Sequence, residues 1–129
     1  MIILDGGLGR ELKAMGAPFR QPEWSALALM EGPDFVRAAH DTFIEAGADI
    51  ITTNSYAIVP FHIGEAAFRN RAGELLDLAG QLARSAATAA PHAVEVAGGV
   101  PPMFGSYQPD KFDAGRACEM MALFRHHLT

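Results

Sequence analysis

Three short apolar runs punctuate the chain, separated by longer stretches of helical period. The runs are Ile2-Ile3-Leu4, Ala48-Asp49-Ile50-Ile51-Thr52-Thr53 and Ala93-Val94-Glu95-Val96-Ala97, and each stops in small or polar residues. Short β-branched runs of this kind read as buried parallel strands. Between the first two, Pro33 and Asp34 suit a helix start, and Phe35, Ala39, Phe43 and Ala46 share a face up to Gly47, placed as a C′ glycine. A short helix from the Trp24-Ser25 loop through Met30, with Ser25 as a candidate cap, precedes it. A longer helix is predicted from about Arg69 to Ala89, with Leu75, Leu78, Ala79, Leu82 and Ala86 in one stripe and Pro91 ending it. A last helix takes Asp113 as N-cap and points Ala117, Met120, Met121, Phe124 and Leu128 inward.

The order is βα, βα, βα, with strand starts roughly 45 residues apart. Such a series forms either a doubly wound sheet or a barrel. A dinucleotide fingerprint fails, because Gly7-Leu8-Gly9 meets Leu12 where a third glycine belongs and Glu11 would face the phosphate. Polar and glycine residues cluster where strands end, as in (β/α)8 barrels. A whole barrel takes about 250 residues. The expectation is therefore an α/β chain forming a partial (β/α)8 TIM barrel of about the first three βα units, with 1–129 as the N-terminal portion of an incomplete barrel domain.

Of the 129 residues, half are apolar and 19% are charged, as in an ordinary globular domain. The formal charge of −5 and the scattered Lys and Arg argue against nucleic acid and membrane-surface partners. No signal-peptide pattern opens the chain, and no apolar run approaches the roughly 20 residues that span a bilayer. A single cysteine, Cys118, rules out an intrachain disulfide and fits a reducing compartment, the cytoplasm by expectation.

Candidate chemistry lies at the strand ends. Asp5 after the first strand can accept hydrogen bonds from a ligand ammonium, and Gly6 and Gly7 let backbone N–H groups approach a carboxylate. The same turn also reads as a tight βα connection with Asp5 capping a helix. Trp24, the one tryptophan, serves either packing or a ligand. The polar cluster Thr52-Thr53-Asn54-Ser55-Tyr56 can point hydroxyl and amide groups into a pocket or simply satisfy a turn. His40, His62, His92, His126 and His127 make no metal motif and read as surface or helix-end side chains, and Cys118 reads as a buried, inert thiol.

Taken together, these segments resemble the homocysteine S-methyltransferase family. The matching stretches are Asp5 through Leu12, Trp24-Ser25, Val36 through His40, Gly47 through Tyr56, Gly98 through Pro102 and Gly105-Ser106-Tyr107. Arg10 departs from the small residue often found at its position. The resemblance implies a (β/α)8 barrel that transfers a methyl group to homocysteine sulfur, giving methionine. The partners it implies are homocysteine and a methyl donor. It gives Asp5, Gly6 and Gly7 the amino acid end of homocysteine, and places Trp24, Asn54, Ser55 and Tyr56 along the pocket near the donor. It also implies zinc held by three cysteines, one of them upstream of a Gly-Gly-Cys-Cys run. This sequence lacks that run, and Cys118 matches none of the three, so no zinc is expected on the isolated chain. Three readings follow: a truncated or split methyltransferase completed by a C-terminal half-barrel partner, a non-catalytic half barrel that binds an amino acid or self-associates, and a non-functional fragment.

Overall fold

The computed structural model describes residues 1–105 and 108–128. The apolar runs come together as a small parallel sheet. Strand β1 (Ile50–Thr52) pairs with β2 (Glu95–Ala97), with Ile50 opposite Glu95, Ile51 opposite Val96 and Thr52 opposite Ala97. The Ile2-Ile3-Leu4 run, predicted as a buried strand, contributes only a parallel bridge from Leu4 to Ile50 on the other edge of β1. Its backbone is held there, with Asp5 N–H donating to Ile50 O at 2.9 Å and Asp49 N–H to Ile3 O at 2.8 Å. Its side chains are not buried: Ile2 is 71% and Leu4 65% exposed. An edge segment has one neighbour, and nothing among the described residues covers its free side.

The described residues form six α-helices, α1 (Leu8–Ala14), α2 (Ser25–Glu31), α3 (Pro33–Glu45), α4 (Pro60–Ile63), α5 (Glu65–Ala89) and α6 (Ala114–Leu128), plus a 3-10 turn at Pro109–Lys111. Local chemistry sets their ends. Proline opens α3, and Gly47 at φ 97° closes it: Gly47 N–H reaches Ile44 O at 2.9 Å and Ala48 N–H reaches Phe43 O at 3.0 Å. That pair of bonds is a Schellman motif, which needs the left-handed residue glycine supplies. It delivers the chain directly into β1. Asp113 caps α6 as predicted, accepting the Arg116 N–H at 3.0 Å. Ser25 does not cap α2; it is the helix's first residue, and no side chain caps the helix.

One face of the sheet is covered. Ile51 packs with Ile44, Ala48, Ala83 and Ala86, joining β1 to α3 and α5. The larger core includes Leu12, Leu29, Val36, Ala39, Leu75, Leu76, Ala79, Met120 and Phe124. Three helix faces differ from their predicted stripes. On α3 the buried positions are Val36, Ala39, His40 and Ile44, leaving Phe35 exposed, because the inward face includes a histidine that the apolar pattern passed over. On α5, which lies between α3 and α6, Ala72, Leu76 and Ala83 are also buried and the stripe widens. On α6 only Ala117, Met120 and Phe124 are buried. Met121 and Cys118 lie to one side of that narrow stripe and are exposed, so the predicted buried thiol is corrected. Among the described residues no helix is long and apolar enough to cross a membrane.

Candidate functional site

Asp5 leaves the sheet at the C-terminal end of its segment, next to the end of β1. Its carboxylate does not cap α1, whose N-cap is Gly7 with no side-chain bond. It reaches sideways instead: Oδ2 accepts the Thr52 backbone N–H at 2.7 Å, and Oδ1 accepts the Thr52 hydroxyl at 3.1 Å. Parallel pairing of the two segments makes this reach possible. A carboxylate held by two donors keeps further lone-pair positions free for a third.

Those positions border a cavity of about 650 Å³ lined by Asp5, Gly6, Leu8, Gly9, Phe19, Trp24, Ser25, Thr52, Thr53, Asn54, Tyr56, Ala57, Phe61 and His62. The lining is largely apolar with a few polar groups, the usual make-up of a small-molecule site. Trp24 stands at its rim, exposed, with its ring edge-on to Phe19 at 5.8 Å between centroids. The tryptophan backbone has φ 49°, a left-handed conformation that bulky residues rarely adopt. Such strain concentrates at binding sites. The preceding loop is tied down by His62, whose Nδ1 lies 3.0 Å from Pro22 O.

The structure brings Asp5, Gly6, Trp24, Asn54 and Tyr56 to this cavity, while Gly7 and Ser55 do not line it. Gly7 is exposed beside α1. Gly6 is constrained by packing, since a Cβ there would lie 2.9 Å from Phe43 Cε1 of α3. Ser55 is fully buried and donates to Gly99 O at 2.6 Å, while Thr53 Oγ1 accepts the Gly99 N–H at 3.0 Å and sits 2.9 Å from Ser55 Oγ. Asn54 donates its amide N–H to Ser25 O at 3.0 Å. Most of the polar cluster thus ties β1 to the chain after β2 and to α2, and only Tyr56 presents an exposed side chain. Ser106 and Tyr107 of the Gly105-Ser106-Tyr107 stretch lie outside the described residues.

Two residues were missed from the sequence. Thr52 was read only as part of a polar cluster; its position opposite the first segment was the available signal. His40, expected at the surface, is fully buried on α3, and neither ring nitrogen has a hydrogen-bond partner. Burial pushes its pKa below the usual 6.5, opposed by the negative charges of Asp5 and then Asp41, with Arg37 adding to the fall. Local pattern could not find it, because a histidine between Ala39 and Asp41 looks like a boundary of the apolar face.

Zinc does not fit the residues present. The described residues contain no group of three or more His, Cys, Asp or Glu able to hold a metal ion, and the sequence's single thiol is exposed on α6, outside the cavity lining. A three-thiolate centre cannot be built from it.

The family model described as Homocysteine S-methyltransferase matches residues 2–129. Homocysteine S-methyltransferase 3 of Zea mays is 49% identical over 55 residues, which cover 43% of this chain and 16% of that protein. Homocysteine S-methyltransferase 1 of Zea mays is 38% identical over 85 residues, covering 65% and 26% respectively. The crystal structure of the Escherichia coli homocysteine methyltransferase MmuM in its metallated form superposes with a TM-score of 0.79 at 30% identity, over 98% of this chain and 49% of that one. The chain therefore belongs to the homocysteine S-methyltransferase family. It spans about half the length of the solved relative and a smaller share of the curated ones.

Proposed function

We propose that this chain forms the amino acid pocket of a homocysteine S-methyltransferase, as the opening βα units of a (β/α)8 barrel, in a reducing compartment such as the cytoplasm. The observation that carries this reading is the Asp5 carboxylate, fixed by both Thr52 donors at the wall of the cavity. The α-ammonium of homocysteine donates to Asp5, and its side chain extends along the apolar wall toward Trp24 and Tyr56. The methyl donor approaches from that rim. The methyl carbon bonds to the attacking sulfur as its bond to the donor breaks, and the electron pair of that bond leaves with the donor. Binding and orientation are this chain's part. Sulfur activation falls to groups supplied by the rest of a barrel or by a partner chain, since the residues here offer no thiolate centre.

Calorimetry with homocysteine tests the reading: the chain binds, and Asp5→Ala removes most of the affinity. Unchanged binding in Asp5→Ala would end the assignment of Asp5. A zinc titration of the isolated chain is expected to give no tight stoichiometric binding, and submicromolar affinity would overturn the division of labour.

A second reading, a non-catalytic half barrel that binds an amino acid and self-associates, draws on the exposed Ile2 and Leu4 side chains. Sedimentation decides it, with a monodisperse monomer counting against it.

A further inference from the structure

His40 stands out because it is costly to keep. A buried polar ring without partners loses its hydration and gains no hydrogen bond in return, and such groups in a native fold call for an explanation. The ring lies one turn before Phe43, on the same side of α3 at i, i+3 spacing. Phe43 in turn fills the space that a Gly6 side chain would occupy. His40 is thus one helical turn from the ring that packs on the Asp5-Gly6 turn; it does not line the cavity, and Asp5 heads the negative charges that act on it. Asp41 and Arg37, on α3 itself, are the other charged groups that it senses.

We propose that His40 is a positioning residue for Asp5, a neutral imidazole whose ring N–H becomes a third donor to the carboxylate when an amino acid ammonium engages it. This rests on the amino acid pocket proposed above. Thr52 supplies two donors from the β1 side. A third from α3 fixes the carboxylate plane and leaves its remaining lone pairs directed at the ligand. A cation in the same place would neutralise Asp5 from behind and compete with the ligand, so the neutral ring matters.

The test uses the full chain, with homocysteine as the probe. His40→Phe removes both ring nitrogens. It is expected to keep a cooperative thermal transition and to lose about tenfold in homocysteine affinity, the scale of one charge-assisted hydrogen bond. His40→Gln or His40→Asn, which restores an N–H at one ring position, recovers part of the loss. A folded His40→Phe that binds as tightly as wild type overturns the proposal. If His40→Phe fails to fold, the ring nitrogens of wild-type His40 are followed by ¹⁵N NMR. One is expected to move toward a hydrogen-bonded shift as homocysteine is added, and no movement overturns the proposal. Independently of any ligand, Asp5→Asn is expected to move the His40 titration midpoint further down, and an unmoved midpoint overturns the proposal. If wild type binds no homocysteine while Asp5→Asn still moves His40, the functional reading fails and the coupling of the two residues stands.

Discussion

Two polar clusters sit side by side at the end of β1, and they are built to opposite ends. In the cluster of Thr53, Ser55 and Gly99, each hydroxyl has partners within the protein, and both hydroxyl-bearing residues are buried. In the pair of Asp5 and Thr52, the carboxylate is held by two donors and is still half-exposed at a cavity. The first closes upon itself and fastens one strand end to the next. The second is held in place with bonding capacity left over. Polar residues at a strand end therefore do not announce a site by their type; unspent valence beside a cavity does.

Substitutions can separate the two roles. The largest effect is expected on binding from Asp5→Asn, which removes the charge while keeping the shape. Homocysteine affinity should fall by about 2 kcal/mol, the scale of a hydrogen bond to a charged group, with little change in the thermal transition. Calorimetry beside thermal melts checks this, and equal losses in both would erase the contrast. Ser55→Ala is the mirror image. It leaves Gly99 O and Thr53 Oγ1 short of a partner in a buried place, so stability should fall by about 1–2 kcal/mol in denaturant titrations while the folded protein keeps its affinity. Thr52→Val deletes one of the two donors to Asp5 and preserves the backbone one. A loss of about 1 kcal/mol in binding is expected, smaller than for Asp5→Asn.

The smallest effect depends on pH. Burial holds the folded His40 pKa below the unfolded value of 6.5. Between those two values the unfolded chain binds more protons, so stability rises with pH there. It is present in full above about 6.5 and is lost as pH falls toward and through the folded value. Thermal melts taken from neutral pH downward should show this fall, and His40→Phe should flatten it. An identical slope in the variant would mean that other groups govern the acid limb.

Much of this was legible in the sequence, for reasons that differ by residue. Gly47 announced the end of α3 because a left-handed closing residue is a local requirement, and Asp113 announced the start of α6 for a similar one. The family resemblance was legible because its motifs cluster at the strand ends. The burial of Ile2 and Leu4 was misjudged because an apolar run states what a strand wants to cover, not whether a neighbour is there to do it. Ser55 and Thr52 looked alike as neighbours in one polar stretch. Their separate fates depend on which residues lie across the sheet, and that is set by pairing with segments more than forty positions away. His40 was hidden for the same reason: a helix face is chosen by what packs on it.

One of the two bonds that hold Asp5 comes from the backbone of Thr52 and not from its side chain. A main-chain N–H is common to every amino acid except proline. Position 52 can therefore drift through evolution among residues that fit the strand and still orient the carboxylate, whereas position 5 has no such freedom. A saturation library selected for homocysteine binding should record that asymmetry as a tolerant column at 52 that excludes proline, beside a nearly invariant one at 5.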